Sequence, residues 1–128
     1  MIFNSFKGFN KMETSLNQVY QLEKEMLEQR SKYDQYYNNE ILCTQNIKIF
    51  EFSLDAIEEQ PSDRAVYQPL GKAFLRRPKE ALANDLRTLL ESNEKSLGEH
   101  RRMKEHFETK KIELEKQLVE LTKGLKLN

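Results

Sequence analysis

Two histidines, one cysteine and a Gly-Lys dipeptide are the residues with which this chain could begin to do chemistry. His100 and His106 stand six residues apart, which places them on different faces of a helix and makes them a poor pair of metal ligands. Their expected use is aromatic filling opposite Tyr33 and Tyr36. Cys43 falls within an apolar series and reads as a small buried group rather than a nucleophile. Gly71-Lys72 matches the end of a phosphate-binding loop, but Val66 stands where that motif needs glycine and Ala73 where it needs Ser or Thr. No Ser, Cys or carboxylate set has the spacing of a catalytic constellation. The residues therefore point to no enzyme, no cofactor and no metal. What remains is apolar surface and the elements that present it.

Those elements are set out by proline. Pro61, Pro69 and Pro78 all lie between residues 61 and 78, and the flanking segments contain none, so nothing stops them being continuous helices. Ala, Glu, Lys, Leu and Arg make up nearly half of the 128 residues, as in a coiled coil. Alternating steps of three and four from Met12 reach Ser15, Val19, Leu22, Met26, Gln29, Tyr33, Tyr36, Glu40, Cys43, Ile47, Phe50, Leu54 and Ile57. Eleven of these fourteen positions are apolar or aromatic. The same stepping from Leu86 gives Leu90, Asn93, Leu97, His100, Lys104, Phe107, Lys111, Leu114, Leu118, Leu121 and Leu125, with eight of twelve apolar. Its middle is weak, because Asn93, His100, Lys104 and Lys111 interrupt the seam. The expected organisation is one domain: helix over 10–60, a connector over 61–78, and helix over 79–127. The two arms match in length, about 70 Å each at 1.5 Å per residue, and a short connector makes them antiparallel. Two helices of a larger bundle joined by a disordered loop is the alternative.

The connector itself reads as sheet. Ala65 to Gln68 favours strand, Gln68-Pro69-Leu70-Gly71 suits a type I turn with Pro at its second position, and Lys72 to Arg77 alternates again. Pro78 suits the first position of the second helix, with Glu80 near its positive end. An isolated hairpin is marginal in water and has two unpaired edges. Val66, Tyr67, Leu70, Phe74 and Leu75 are too much apolar surface for two helix ends to cover. With Gly71 at the bend, these residues are expected to be completed by other chains, which makes the hairpin an assembly device. The fold class is thus dominated by α-helix: a long antiparallel two-helix coiled coil with one short β-hairpin that oligomerises.

Extending the first register backward leaves Ile2, Phe3, Phe6 and Phe9 off the seam, and Leu121, Leu125 and Leu127 crowd the other terminus. Exposed apolar clusters mark binding surfaces, and non-directional contact of this kind suits a tolerant holder of varied polypeptides. A frayed terminus whose phenylalanines fold back is the competing reading. Two other off-seam residues are Phe52, expected to pack on a neighbouring subunit, and Ile41, with no assignment.

The order long helix, "VYQPLGKAFL", "RRPKEAL", long helix resembles the β-class subunits of prefoldin. Within that class "GKAFLRRPKEAL" is most similar to the subunit 1 type, with its Gly-basic-x-Phe run followed by Lys-Glu-Ala. The single short connector fits the β class, since α-class subunits carry two hairpins. Pro69 departs from the pattern. The resemblance implies a heterohexamer of α-class and β-class subunits whose hairpins merge into a β-barrel body. It also implies ATP-independent capture of unfolded or nascent chains, such as actin and tubulin, at the coiled-coil tips, and delivery to the cytosolic chaperonin.

Charge and composition bear on the rivals. The chain carries 21 basic and 21 acidic residues, so there is no bulk attraction to nucleic acid or to an anionic membrane. The connector is the most basic segment, with four basic residues against one acidic, which a solvated rim explains as well as a nucleic-acid contact does. One cysteine allows no internal disulfide, no glycosylation sequon occurs, and no apolar run has the length of a signal peptide or span. A cytoplasmic protein is expected. A coiled-coil scaffold or tether, binding one partner along its arms at residues such as Leu27 or Ile41, is the first rival. A helical arm that binds RNA is the second, and the balanced charge argues against it.

Overall fold

The computed structural model describes the backbone of residues 2–126 and the side chains of residues 11–124. Helix α1 runs Ile2–Glu58, strand β1 Val66–Leu70, strand β2 Ala73–Arg77, and helix α2 Lys79–Lys126. Helix α1 thus begins well before the expected residue 10 and ends two residues before 60. No helix among the described residues is long and apolar enough to cross a membrane. The chain divides into two units, Met1–Tyr37 with Arg102–Asn128, and Asn38–Arg101.

In the first unit, α1 and α2 meet along the stepped seam, and they run antiparallel. Lys111 lies over the ring of Tyr33 and Lys104 over that of Tyr37, so the partner's number falls as the residue number rises. With Met12 and Leu90 as a positions of the heptad, Val19, Leu22, Met26, Tyr33, Leu114, Leu118 and Leu121 occupy a or d and are half-buried. Phe107, at d, is buried to 7% exposure and stacks on Tyr36 at 5.6 Å between ring centroids. The expected histidine filling is therefore corrected for His106, which is exposed and meets Phe107 edge-on; His100 is half-buried at a d position of the seam. The lysines that weakened the α2 pattern also find their place here. Lys104 and Lys111 set their ammonium groups 5.5 and 5.9 Å from tyrosine centroids, and Lys32 lies 5.3 Å from that of Phe107. Such contacts each contribute about 0.5–1 kcal/mol at exposed sites, and the long lysine stems cover apolar surface as well.

Within the second unit, Ile47, Phe50 and Leu54 on α1 and Leu86, Leu90 and Leu97 on α2 are seam residues and half-buried, with Cys43 among them. Arg101 pairs with Glu40 at 3.2 Å and Arg87 with Glu58 at 2.6 Å, again in antiparallel order. Ala83, at only 1% exposure, lies three residues before Leu86, at the next a position back. Ile41 and Phe52 are exposed.

The end of α1 carries no basic residue in its last turn, although unpaired carbonyls there favour positive charge. Lys79 supplies that charge from the start of α2. Its ammonium donates to the carbonyls of Glu58 at 3.0 Å and Gln60 at 2.7 Å. Pro78 sits just outside α2 rather than at its first position, and its carbonyl accepts from the Leu82 amide at 3.2 Å. Replacing Lys79 by Met keeps the stem and removes the donor. The expected cost is about 1 kcal/mol, or about 4 °C in Tm, measured by thermal circular dichroism. An unchanged Tm means that this cap contributes nothing.

Candidate functional site

The hairpin pairs Val66 with Arg77, Tyr67 with Arg76, Gln68 with Leu75, Pro69 with Phe74 and Leu70 with Ala73. Its turn is therefore Gly71-Lys72, which corrects the expected Gln68–Gly71 turn. Two-residue hairpin loops need a first or both central residues at positive φ to match the twist of the strands. Gly71 has φ of 61° and no other residue type does so among the described residues. Positive φ at the first central position only is the type II′ pattern. A Cβ at Gly71 would have open space around it, so the demand for glycine comes from the backbone angle.

That register also explains how β1 tolerates Pro69. The Leu70–Ala73 pair closes the turn with hydrogen bonds, so the next pair, Pro69–Phe74, is a non-hydrogen-bonded one. The nitrogen of Pro69 therefore faces the free edge of β1, where a missing donor breaks no bond within the hairpin. The two outer edges differ as a result. The β1 edge lacks a donor at Pro69, whereas the β2 edge keeps the amides of Phe74 and Arg76.

Strand alternation puts Tyr67, Pro69 and Phe74 on one face and Val66, Leu70 and Leu75 on the other. Exposure is 58% at Tyr67, 65% at Leu70 and 71% at Phe74, and Leu75 is exposed too. Only the base of the hairpin is covered: Val66 and Arg77 are half-buried, and Arg77 pairs with Asp85 and donates to Gln68 at 3.3 Å. A two-stranded sheet that is apolar on both faces cannot shield either one.

The first unit has two further surfaces, one on each side of its seam. In antiparallel helices e positions flank e positions on one side, and g positions flank g positions on the other. The e and b columns hold Leu16, Tyr20 and Leu27 of α1, with Ile112 and Val119 of α2, all exposed. Within this side lies a groove of about 620 Å³ near Leu27 and Tyr33, rimmed by Glu23, Arg30, Asp34, Lys111 and Glu115. The g and c side holds a second groove, of about 730 Å³, around Gln18, Gln21 and Gln117, with Leu22 and Leu121 at its base.

Of the residues expected at the tip, Leu121 is half-buried on the seam. The side chains of Ile2, Phe3, Phe6, Phe9, Leu125 and Leu127 lie outside the described ones. Of the exposed e and b residues the sequence reading named only Leu27 and Ile41, as docking positions of a tether; Leu16, Tyr20, Ile112 and Val119 escaped it, because it sorted positions only into seam and remainder. Sorting the remainder by heptad column would have found them.

No family model matches this sequence, and no curated protein matches it. Among solved structures, the chain is similar to the prefoldin beta subunit from Thermococcus strain KS-1. The TM-score is 0.72 at 21% identity, over 79% of this chain and 89% of that one. Two long helices joined by a short antiparallel hairpin are thus the fold of a prefoldin beta subunit.

Proposed function

We propose that this chain is a β-class subunit of a prefoldin-type co-chaperone, of the subunit 1 kind, with no enzymatic activity. It joins α-class and β-class partners in a heterohexamer, holds unfolded or nascent chains such as actin and tubulin at its tips without ATP, and passes them to the cytosolic chaperonin. Its place of work in this reading is the cytoplasm, away from nucleic acid and membrane.

One observation carries the assembly part of this reading. The hairpin exposes large apolar side chains on both faces, and an uncovered sheet edge is a template for another strand. The neighbour's strand adds to β2, whose outer edge has its full set of donors, while Pro69 blunts the β1 edge. Leu70, Phe74 and their neighbours then pack into the common sheet. The holding function rests on the off-seam phenylalanines of the N-terminal segment and on the fold shared with a prefoldin subunit.

The exposed Leu27 and its column favour a second reading, a coiled-coil scaffold or tether that docks one partner along the first unit. Native mass spectrometry of the complex formed with endogenous partners separates the two. Six small coiled-coil chains, each near the 15.3 kDa of this one, give about 90 kDa. A monomer, a homodimer or one large unrelated partner overturns the chaperone reading in favour of the tether.

A further inference from the structure

The groove on the g and c side of the first unit differs in kind from the rest of the surface. One third of the chain is charged, and the groove across the seam is rimmed by five ionisable side chains of both signs. Here Asn17, Gln18, Gln21 and Gln117 line the walls with Thr14, and Glu120 is the single charged group. None of the four amide side chains engages another group among the described residues. Leu22 and Leu121 form an apolar base between them.

Each primary amide presents two N–H donors and a carbonyl acceptor, the same neutral chemistry as a peptide group. A polyanion or a polycation would meet too little charge here to be held. An extended polypeptide meets its own complement. Its backbone alternates donors and acceptors along each edge, and every second side chain points to the same face. From Thr14 to Leu22 the α1 wall is about 12 Å long at 1.5 Å per residue, room for about four extended residues at 3.3 Å each.

We propose that this groove binds an extended, uncharged segment of an unfolded polypeptide through its backbone, with alternate apolar side chains resting on Leu22 and Leu121. The inference rests on the chaperone reading and adds to it a mode of recognition. Apolar contact selects side chains, whereas amide contact reads the one feature common to every unfolded chain. The amide part of the contact is indifferent to which apolar side chains the segment carries, and it lets go without a barrier from charge.

The test uses the assembled complex and a short fluorescein-labelled peptide of alternating valine and serine, followed by fluorescence anisotropy. A second probe is the same peptide methylated on its backbone nitrogens. Gln18, Gln21 and Gln117 are exposed and Ala is the best helix former, so Gln18→Ala, Gln21→Ala and Gln117→Ala together leave the helices intact, as circular dichroism would register. The expected result is a loss of at least about tenfold in affinity for the plain peptide, a comparable loss on methylation with the unaltered complex, and no salt dependence. Unaltered affinity in the triple variant, indifference to methylation, or steep weakening by salt each overturns the groove proposal. Suppression of client aggregation, read by light scattering on the same samples, separates the two levels. If the unaltered complex holds clients and the peptide results fail, only the groove falls; if it holds none, the chaperone reading falls with it.

Discussion

Replacing Leu70 and Phe74 together by Asp leaves a chain that forms its helices but enters no complex. The two residues sit on opposite faces of the hairpin, since Leu70 pairs with Ala73 and Phe74 with Pro69 one step further along. Both are mostly exposed in the single chain, so the change costs its own fold little. Burial of each against neighbouring strands is worth about 1.5–3 kcal/mol. Losing both removes about 3–6 kcal/mol per interface, roughly a hundredfold to ten-thousandfold in Kd. Two carboxylates desolvated without partners make association less favourable still. Native mass spectrometry with the partner chains reads the outcome directly, and circular dichroism confirms the helices. A double variant that still appears in a six-chain complex removes the hairpin from the interface. Phe52→Asp, on the exposed face of α1 in the same unit, extends the experiment to a helix contact with a neighbouring subunit. Its effect is expected to be smaller, because one side chain is lost and no strand edge is involved.

Much of this fold could be read in advance because its two signals are periodic or punctual. Steps of three and four recur for dozens of residues on each arm, and one face of a helix is the only place such residues meet. Prolines confined to one stretch mark where helix must stop. The turn was misplaced for a local reason. Pro69 followed by Gly71 satisfies a common open turn, but strands that twist against each other select the tighter loop in which glycine supplies positive φ. The lysines in the α2 seam were legible only as defects. That they lie over Tyr33 and Tyr37 depends on which residues the antiparallel pairing brings level, and a single helix pattern does not contain that. Ala83 was passed over for its size, although small size is what allows a residue at that seam position to be nearly lost from solvent. The surfaces beside the seam went unread because a coiled-coil pattern divides residues into inside and outside. A binding surface asks which outside.

The same question decides the last prediction. Helix α1 is continuous from Ile2, so the register that places Leu16 at e and Tyr20 and Leu27 at b extends to the start of the chain. It assigns Ile2 and Phe9 to e and Phe6 to b, with Phe3 beside them at f. Phe6 and Phe9 therefore share the columns of the exposed apolar residues in the first unit, and Phe3 holds the position between those columns and the far side of the helix. Replacing Phe3, Phe6 and Phe9 by Ser is expected to abolish suppression of client aggregation while leaving assembly untouched, since the hairpin residues are unchanged. Each ring that a client covers contributes about 1.5–3 kcal/mol. Three rings on each such arm amount to about a thousandfold or more in affinity, beyond what the remaining surface can replace. Leu16→Ser and Tyr20→Ser in a chain that keeps Phe3, Phe6 and Phe9 test the columns rather than the tip. If the client lies along them, that variant loses most of its holding activity; if contact is confined to the terminus, it keeps it. Full activity in the triple phenylalanine variant, with the complex intact by native mass, rules out the N-terminal segment as the holding surface. The exposed column at Leu27 then belongs to a fixed partner, and the tether reading gains what the chaperone reading loses.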